Sequence, residues 1–342
     1  MLLLTGSYTE ALSPAIDARG KGMSLFDFSE ESGQLTLLDQ IALRNPSYPI
    51  WDKSRQMVWV AEEIMASDNP CLAGYVKQAA FSLTRQKSIP VPVSFACHIA
   101  VVGEALVLAN YLSSDIGIIS GIATGKERIH LIRHSGSGKD PERQEAPHPH
   151  MILPLSEQSF YVVDLGLDAL CFYQQNSSGN WEQVDSMGVN LMPGSGARHM
   201  ISIRAHSYLV VLAELNGVVF LLKGSGAGYV VIDRIRLHSG NKASAAAIIV
   251  DAFDKFIYVS ERSTNTIYCL EIINDRICQV GAVDCQGQTP RAISIAPVGN
   301  WLLSANQDSN SITVFKRNPL SGQLQFSHSS DVYTPNSFCW LD

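Results

Sequence analysis

The chain has 342 residues, 46% hydrophobic and 17% charged, with a formal net charge of −7. That composition excludes a disordered chain, and the acidic balance argues against nucleic acid as a partner. No apolar run approaches the roughly 20 residues of a membrane-spanning helix, so no membrane partner is expected.

The N-terminal "MLLLTGSYTE" has four apolar residues and no basic stretch before them, too little for a secretory signal. The seven cysteines are odd in number, scattered and free of any C-x-x-C pair. They read as small buried hydrophobes in a reducing compartment, so a cytoplasmic protein is expected.

Helical periodicity is scarce. Short apolar runs bounded by Gly, Pro, Asn, Asp and Ser follow one another, which is the strand pattern. In chain order one kind recurs: "MLLLTGSY", "MVWVAEE", "ALVLANY", "FYVVDLG", "YLVVLAEL", "FIYVSER" and "WLLSANQ". Measured from Leu4, Trp59, Val107, Tyr161, Val210, Tyr258 and Leu303, the spacings are 55, 48, 54, 49, 48 and 45. A β repeat of that length predicts an all-β, seven-bladed β-propeller of four-stranded antiparallel blades, one domain over residues 1–342. The final "NSFCWLD" is a first strand without a successor, and "MLLLTGSY" is a second strand without a predecessor. Pairing them in one blade closes the ring and removes the open sheet edge.

Within a blade the first two strands form a hairpin, so the start of one and the end of the other share one mouth of the channel. The second strands end at Ser7-Tyr8, Glu62-Glu63, Asn110-Tyr111, Asp164-Leu165, Ala213-Glu214, Glu261-Arg262 and Asn306-Gln307. The first strands begin at Ser47, His98, His150, Arg198 with His199, Arg291 and Asn336, and one blade offers only Ala246 and Ala247. The repeat thus gathers His98, His150, Arg198, Arg291, Glu63, Glu214 and Arg262 around one mouth, and convergent titratable groups in a concavity point to a site. A structural role, with strand-end side chains satisfying loop backbone groups, competes at each single position. "HSGSGKD" at 134–140 lacks the context of a phosphate-binding loop and reads as a flexible connection between blades. His148 and His150 lack further ligands at metal-site spacing, so neither metal nor other cofactor is expected.

The chain resembles the seven-bladed β-propeller lactonase family, which includes 6-phosphogluconolactonases and 3-carboxymuconate lactonizing enzymes. The matching motifs include "TGSYTE", "NPSY", "CHIAV", "DPERQEAPHPH", "DLGLD", "GARHM", "SERSTNTI", "GQTPRAISI" and "ANQDSNSITVF". The resemblance implies a catalytic set of His150, Arg198, Glu214 and Arg262, with His98, Glu63, Arg291 and His199 as substrate-binding neighbours. It departs from the family at Ala197, Glu261 and Ala247, and the last two are expected beside the site. The implied activity is hydrolysis of a small anionic lactone, phosphorylated or carboxylated, as in a 6-phosphogluconolactonase. Its alternatives are cyclisation of a carboxymuconate and a non-catalytic binding propeller. A monomer or weak homo-oligomer is expected.

Overall fold

The computed structural model describes every residue except 12–16, 79–80, 227, 241 and 342. Seven antiparallel sheets follow one another, each with the order innermost, second, third and outer strand. The innermost strands are Pro46–Asp52, Ala96–Val102, Pro149–Ser156, Ala197–Ile203, Ala245–Val250 and Pro290–Ile295. The seventh, Pro335–Trp340, pairs with Leu2–Ser7 near the other chain end. We number the blades from that composite one. Blade 4 adds a two-residue strand, Val189–Asn190, to the expected four.

The second strands made the repeat legible because each is buried on both faces. Tyr208–Ala213 reads YLVVLA and Trp301–Asn306 reads WLLSAN, without an exposed residue. A strand covered on both sides reads as a continuous apolar run rather than an alternating one. Successive side chains still point to opposite faces. In Met57–Glu62, Val58 and Val60 enter the core shared with blade 1, while Trp59 and Ala61 enter the core shared with blade 3. Seven such clusters lie between neighbouring blades, so each blade depends on the next for burial.

Removing residues 335–342 would strip blade 1 of its innermost strand, expose the edge of Leu2–Ser7 and lose the burial of Cys339 and Leu341. Each fully buried side chain contributes about 1.5–3 kcal/mol, against a usual net stability of about 5–15 kcal/mol. The truncated protein should therefore lose its cooperative melt in circular dichroism. A sharp transition within a few degrees of the intact chain would show that closure is dispensable.

Candidate active site

The pairing of innermost and second strands skips one residue near the same end of every blade. The breaks fall between Gly6 and Ser7 against Asn336, between Ser47 and Ile50, and around Cys97, His150, Arg198, Ala246-Ala247 and Arg291. A β-bulge leaves one residue unpaired and re-aims its side chain. Here all seven bulges turn toward the channel: Asn336, Tyr48, Cys97, His150, Arg198, Ala247 and Arg291 all line a cavity of about 170 Å³.

Above this cavity, Glu214 ends its strand with a buried carboxylate that meets three guanidiniums. Its Oε2 lies 2.9 Å from Arg198 Nε and 2.9 Å from Arg262 Nη2. Both are ion contacts without hydrogen-bond alignment, and Arg198 Nε has no aligned acceptor among the described residues. Arg143 Nη2 donates to Glu214 Oε1 at 2.7 Å, with Tyr111 Oη 3.4 Å away. Arg262 is pinned by Ser244 O at 2.9 Å, and Arg198 donates to Ala246 O. Burial would raise the Glu214 carboxyl, but Arg262, Arg198 and Arg143 together hold it far below the usual carboxylate range. Arg198 is drawn down to about 10 by burial and by Arg262, and stays charged near neutral pH.

Three histidines run across the channel wall, with ring centroids 6.1 Å apart for His98 and His199 and 5.3 Å for His150 and His199. Burial and Arg198 lower all three, His98 to about 3, so the row is neutral at pH 7. His98 Nδ1 accepts the Ile152 backbone N–H at 3.4 Å, and Tyr48 packs on its ring at 4.2 Å. His150 differs, because its buried Nδ1 has no partner among the described residues. A buried ring nitrogen without a partner is an exception in a folded protein, and this one belongs to a residue that lines the cavity.

On the other side, Arg291 sits over the Tyr8 ring with 5.1 Å to the centroid, and Tyr8 Oη donates to Glu63 Oε2 at 2.9 Å. The expected ring thus divides into a carboxylate–guanidinium knot on Glu214, a histidine row, and an Arg291–Tyr8–Glu63 stack. His150, Arg198 and Glu214 come together as expected, with Arg262 beside them. Glu63 stands apart from that knot.

Several expectations need correction. Cys97, not His98, holds the bulge position of blade 3; His98 is the next residue, packed between Tyr48 and His199. Glu261 does not border the site. Its carboxylate accepts from the Ser244 and Thr264 backbone N–H groups and caps its own blade, the structural role. Asp164 likewise accepts from His148 N and Leu167 N, and contacts His134 at 2.6 Å. His148 is buried, stacked on Tyr111 at 4.2 Å, and a structural residue. The 134–148 segment is not loose: Gln144 is fully buried, donating to Leu165 O and accepting from Asp140 N. Gly166 admits this loop, since a Cβ there would stand 1.9 Å from Ala146 O. Arg143, Tyr8, Tyr48 and Tyr111 were missed. Tyr8 and Tyr111 do end second strands, whereas Arg143 lies in a loop with no counterpart in the repeat.

Residues 2–341 match the family described as "Lactonase, 7-bladed beta-propeller". The chain belongs to this lactonase family. It is 25% identical to a 6-phosphogluconolactonase of Formosa agariphila, over 94% of each chain. It is also 25% identical to a 6-phosphogluconolactonase of Bacillus subtilis, over 98% of this chain and 96% of that one. A periplasmic gluconolactonase from Pseudomonas aeruginosa shares the fold with a TM-score of 0.90 at 23% identity, covering 99% of this chain and 98% of that one. No helix among the described residues is long and apolar enough to cross a membrane.

In this propeller, Glu214→Gln leaves three guanidiniums around an uncharged amide. It should cost about 3–5 kcal/mol in denaturant titrations at pH 7, as when one partner of a buried pair is removed. The folded-state pKa lies below the ordinary 4.5, so the glutamate's contribution is complete above pH 4.5 and is lost as pH falls further. The difference between wild type and variant should therefore narrow only below that pH; a gap unchanged down to pH 3 would contradict the assignment.

Proposed function

We propose that the protein hydrolyses the ring ester of a small anionic sugar lactone, with 6-phosphogluconolactone the first substrate to test. The observation that carries this reading is a neutral, unpartnered imidazole beside guanidiniums that outnumber carboxylates. Four arginines, Arg143, Arg198, Arg262 and Arg291, accompany two carboxylates, Glu63 and Glu214. A surplus of two positive charges in a concavity favours an anionic ligand. The names of the two curated relatives agree with that substrate class.

Lactone opening needs a base for water, a stabiliser for the carbonyl oxygen and a proton for the ring oxygen. His150 takes a proton from water as the hydroxide oxygen bonds to the carbonyl carbon. Arg198 and Arg262 stabilise the resulting oxyanion. When the intermediate collapses, the carbon–ring-oxygen bond breaks and the imidazolium returns its proton to the departing oxygen. Glu214 orients the two arginines, and Arg143 covers the mouth from its loop. His98 and His199 stay neutral and shape the wall, while Glu63 holds Tyr8 in position. The bound anion, acting against the surrounding guanidiniums, raises the basicity of His150 toward the useful range.

The purified protein should open 6-phosphogluconolactone faster than the spontaneous reaction, read by proton release. His150→Ala should lower kcat/KM about 10²–10⁴-fold, and Arg198→Gln should lower kcat about 10²–10³-fold, each with a retained melting transition. Wild-type turnover no faster than the blank would sink the reading.

The pH profile offers a separate check. The His150 pKa is depressed by burial and by Arg198, Arg291 and Arg262, and the base works unprotonated. The acid limb of kcat/KM, which reports the free enzyme, should therefore lie below the ordinary histidine value of about 6.5. A limb above that value would assign it to another group.

A further inference from the structure

We infer that the channel holds a second anion subsite built on Arg291, separate from the reacting carbonyl, which takes a phosphate group on the far end of the substrate. This inference rests on the lactonase reading for what the substrate is, but its geometry stands alone. The other three arginines of the site have acid partners: Arg143, Arg198 and Arg262 all meet Glu214. Arg291 makes no ion pair or side-chain hydrogen bond among the described residues. It lies over the face of Tyr8, a contact that leaves its N–H donors unspent.

The same guanidinium lines the cavity. The Glu63 and Glu214 carboxylates act on it only through space, without an ion pair, so its N–H donors remain available to an anionic ligand. The surroundings leave room for that ligand. Blade 6, next to Arg291, presents Ala247 where blades 4 and 5 carry His150 and Arg198, so the wall is recessed there. Across the cavity the Tyr48 hydroxyl has no partner among the described residues and offers a donor. Asn336 is already committed, donating to Pro46 O at 3.0 Å and accepting from Ser337 Oγ at 2.6 Å, so it frames the subsite without competing for the anion.

The cavity also joins this subsite to the reaction centre, because His150, Arg198 and His199 line it from the opposite blades. A substrate carrying a phosphate at Arg291 would present its lactone ring to His150 and Arg198. A planar guanidinium matches two phosphate oxygens at once. Arg291 is thus a specificity residue that holds the substrate's phosphate.

Two non-reacting acids test binding apart from turnover. Calorimetric titration of the wild-type protein should find 6-phosphogluconate at least about tenfold tighter than gluconate, as a charge-assisted hydrogen-bonded contact allows. Arg291→Gln should bring the two acids to within about twofold of each other, and Arg291→Lys should restore part of the difference. Tyr48→Phe, which keeps the ring, should weaken only 6-phosphogluconate, by a few fold. In kinetics, Arg291→Gln should raise KM for 6-phosphogluconolactone at least about tenfold more than it raises KM for glucono-δ-lactone. Equal wild-type affinity for both acids, an undiminished preference in Arg291→Gln, or an equal loss with both ligands would overturn the subsite. If neither lactone is turned over but the phosphate preference is present and depends on Arg291, hydrolysis fails while the subsite stands. Should Arg291→Gln not melt cooperatively, Arg291→Lys and Tyr48→Phe carry the same binding comparison.

Discussion

One extra residue per blade organises the whole site. Where each innermost strand begins, the hairpin register slips by one, and the unpaired residue is turned toward the axis. Without the slip, strict alternation would send consecutive side chains to the two faces of the blade, into the apolar cores between neighbours. The bulge is what allows a charged arginine to leave a fully apolar ladder and stand in the channel. Because the irregularity repeats around the ring, the fold offers seven equivalent positions whose identities can vary with little disturbance to the cores. Here they are Asn, Tyr, Cys, His, Arg, Ala and Arg.

The electrostatics follow from that crowding. Burial, with guanidiniums close by, keeps the histidines neutral, and three guanidiniums around one carboxylate keep it ionised. Removing Glu214 would leave the arginines to repel one another, and removing the arginines would leave burial alone to act, holding the histidines down and pushing the glutamate up. Acid, base and clamp are therefore properties of the group rather than of single residues. The blade-capping acids, Glu261 and Asp164, show the contrast: their oxygens are consumed by backbone N–H donors of their own loops.

The sequence disclosed the architecture well because second strands, buried on both sides, print an unbroken apolar run at a steady interval. It also discloses most of the mouth, since strand ends are countable from those runs, and the count groups His150, Arg198, Glu214 and Arg262. Two kinds of residue escaped. Cys97 was passed over for His98 because a bulge adds a residue without changing composition, so the pattern of apolar and polar letters does not mark it. Arg143 escaped because it belongs to a long connection peculiar to blade 4, held by Gln144 rather than by any repeated strand. Glu261 was drawn toward the site by its neighbour Arg262. Adjacent residues at a strand end face different ways, and only the loop's demand for hydrogen-bond acceptors decides which goes where.

The pairing of Leu2–Ser7 with Pro335–Trp340 has a consequence beyond rigidity. Tyr8 and Asn336, which bracket Arg291 in the channel, come from opposite ends of the polypeptide. A ribosome extending this chain would finish six blades before the cavity had a complete wall. The wall therefore closes only when Pro335–Trp340 pairs with Leu2–Ser7, so the step that closes the ring is also the one that brings Tyr8 and Asn336 to the channel.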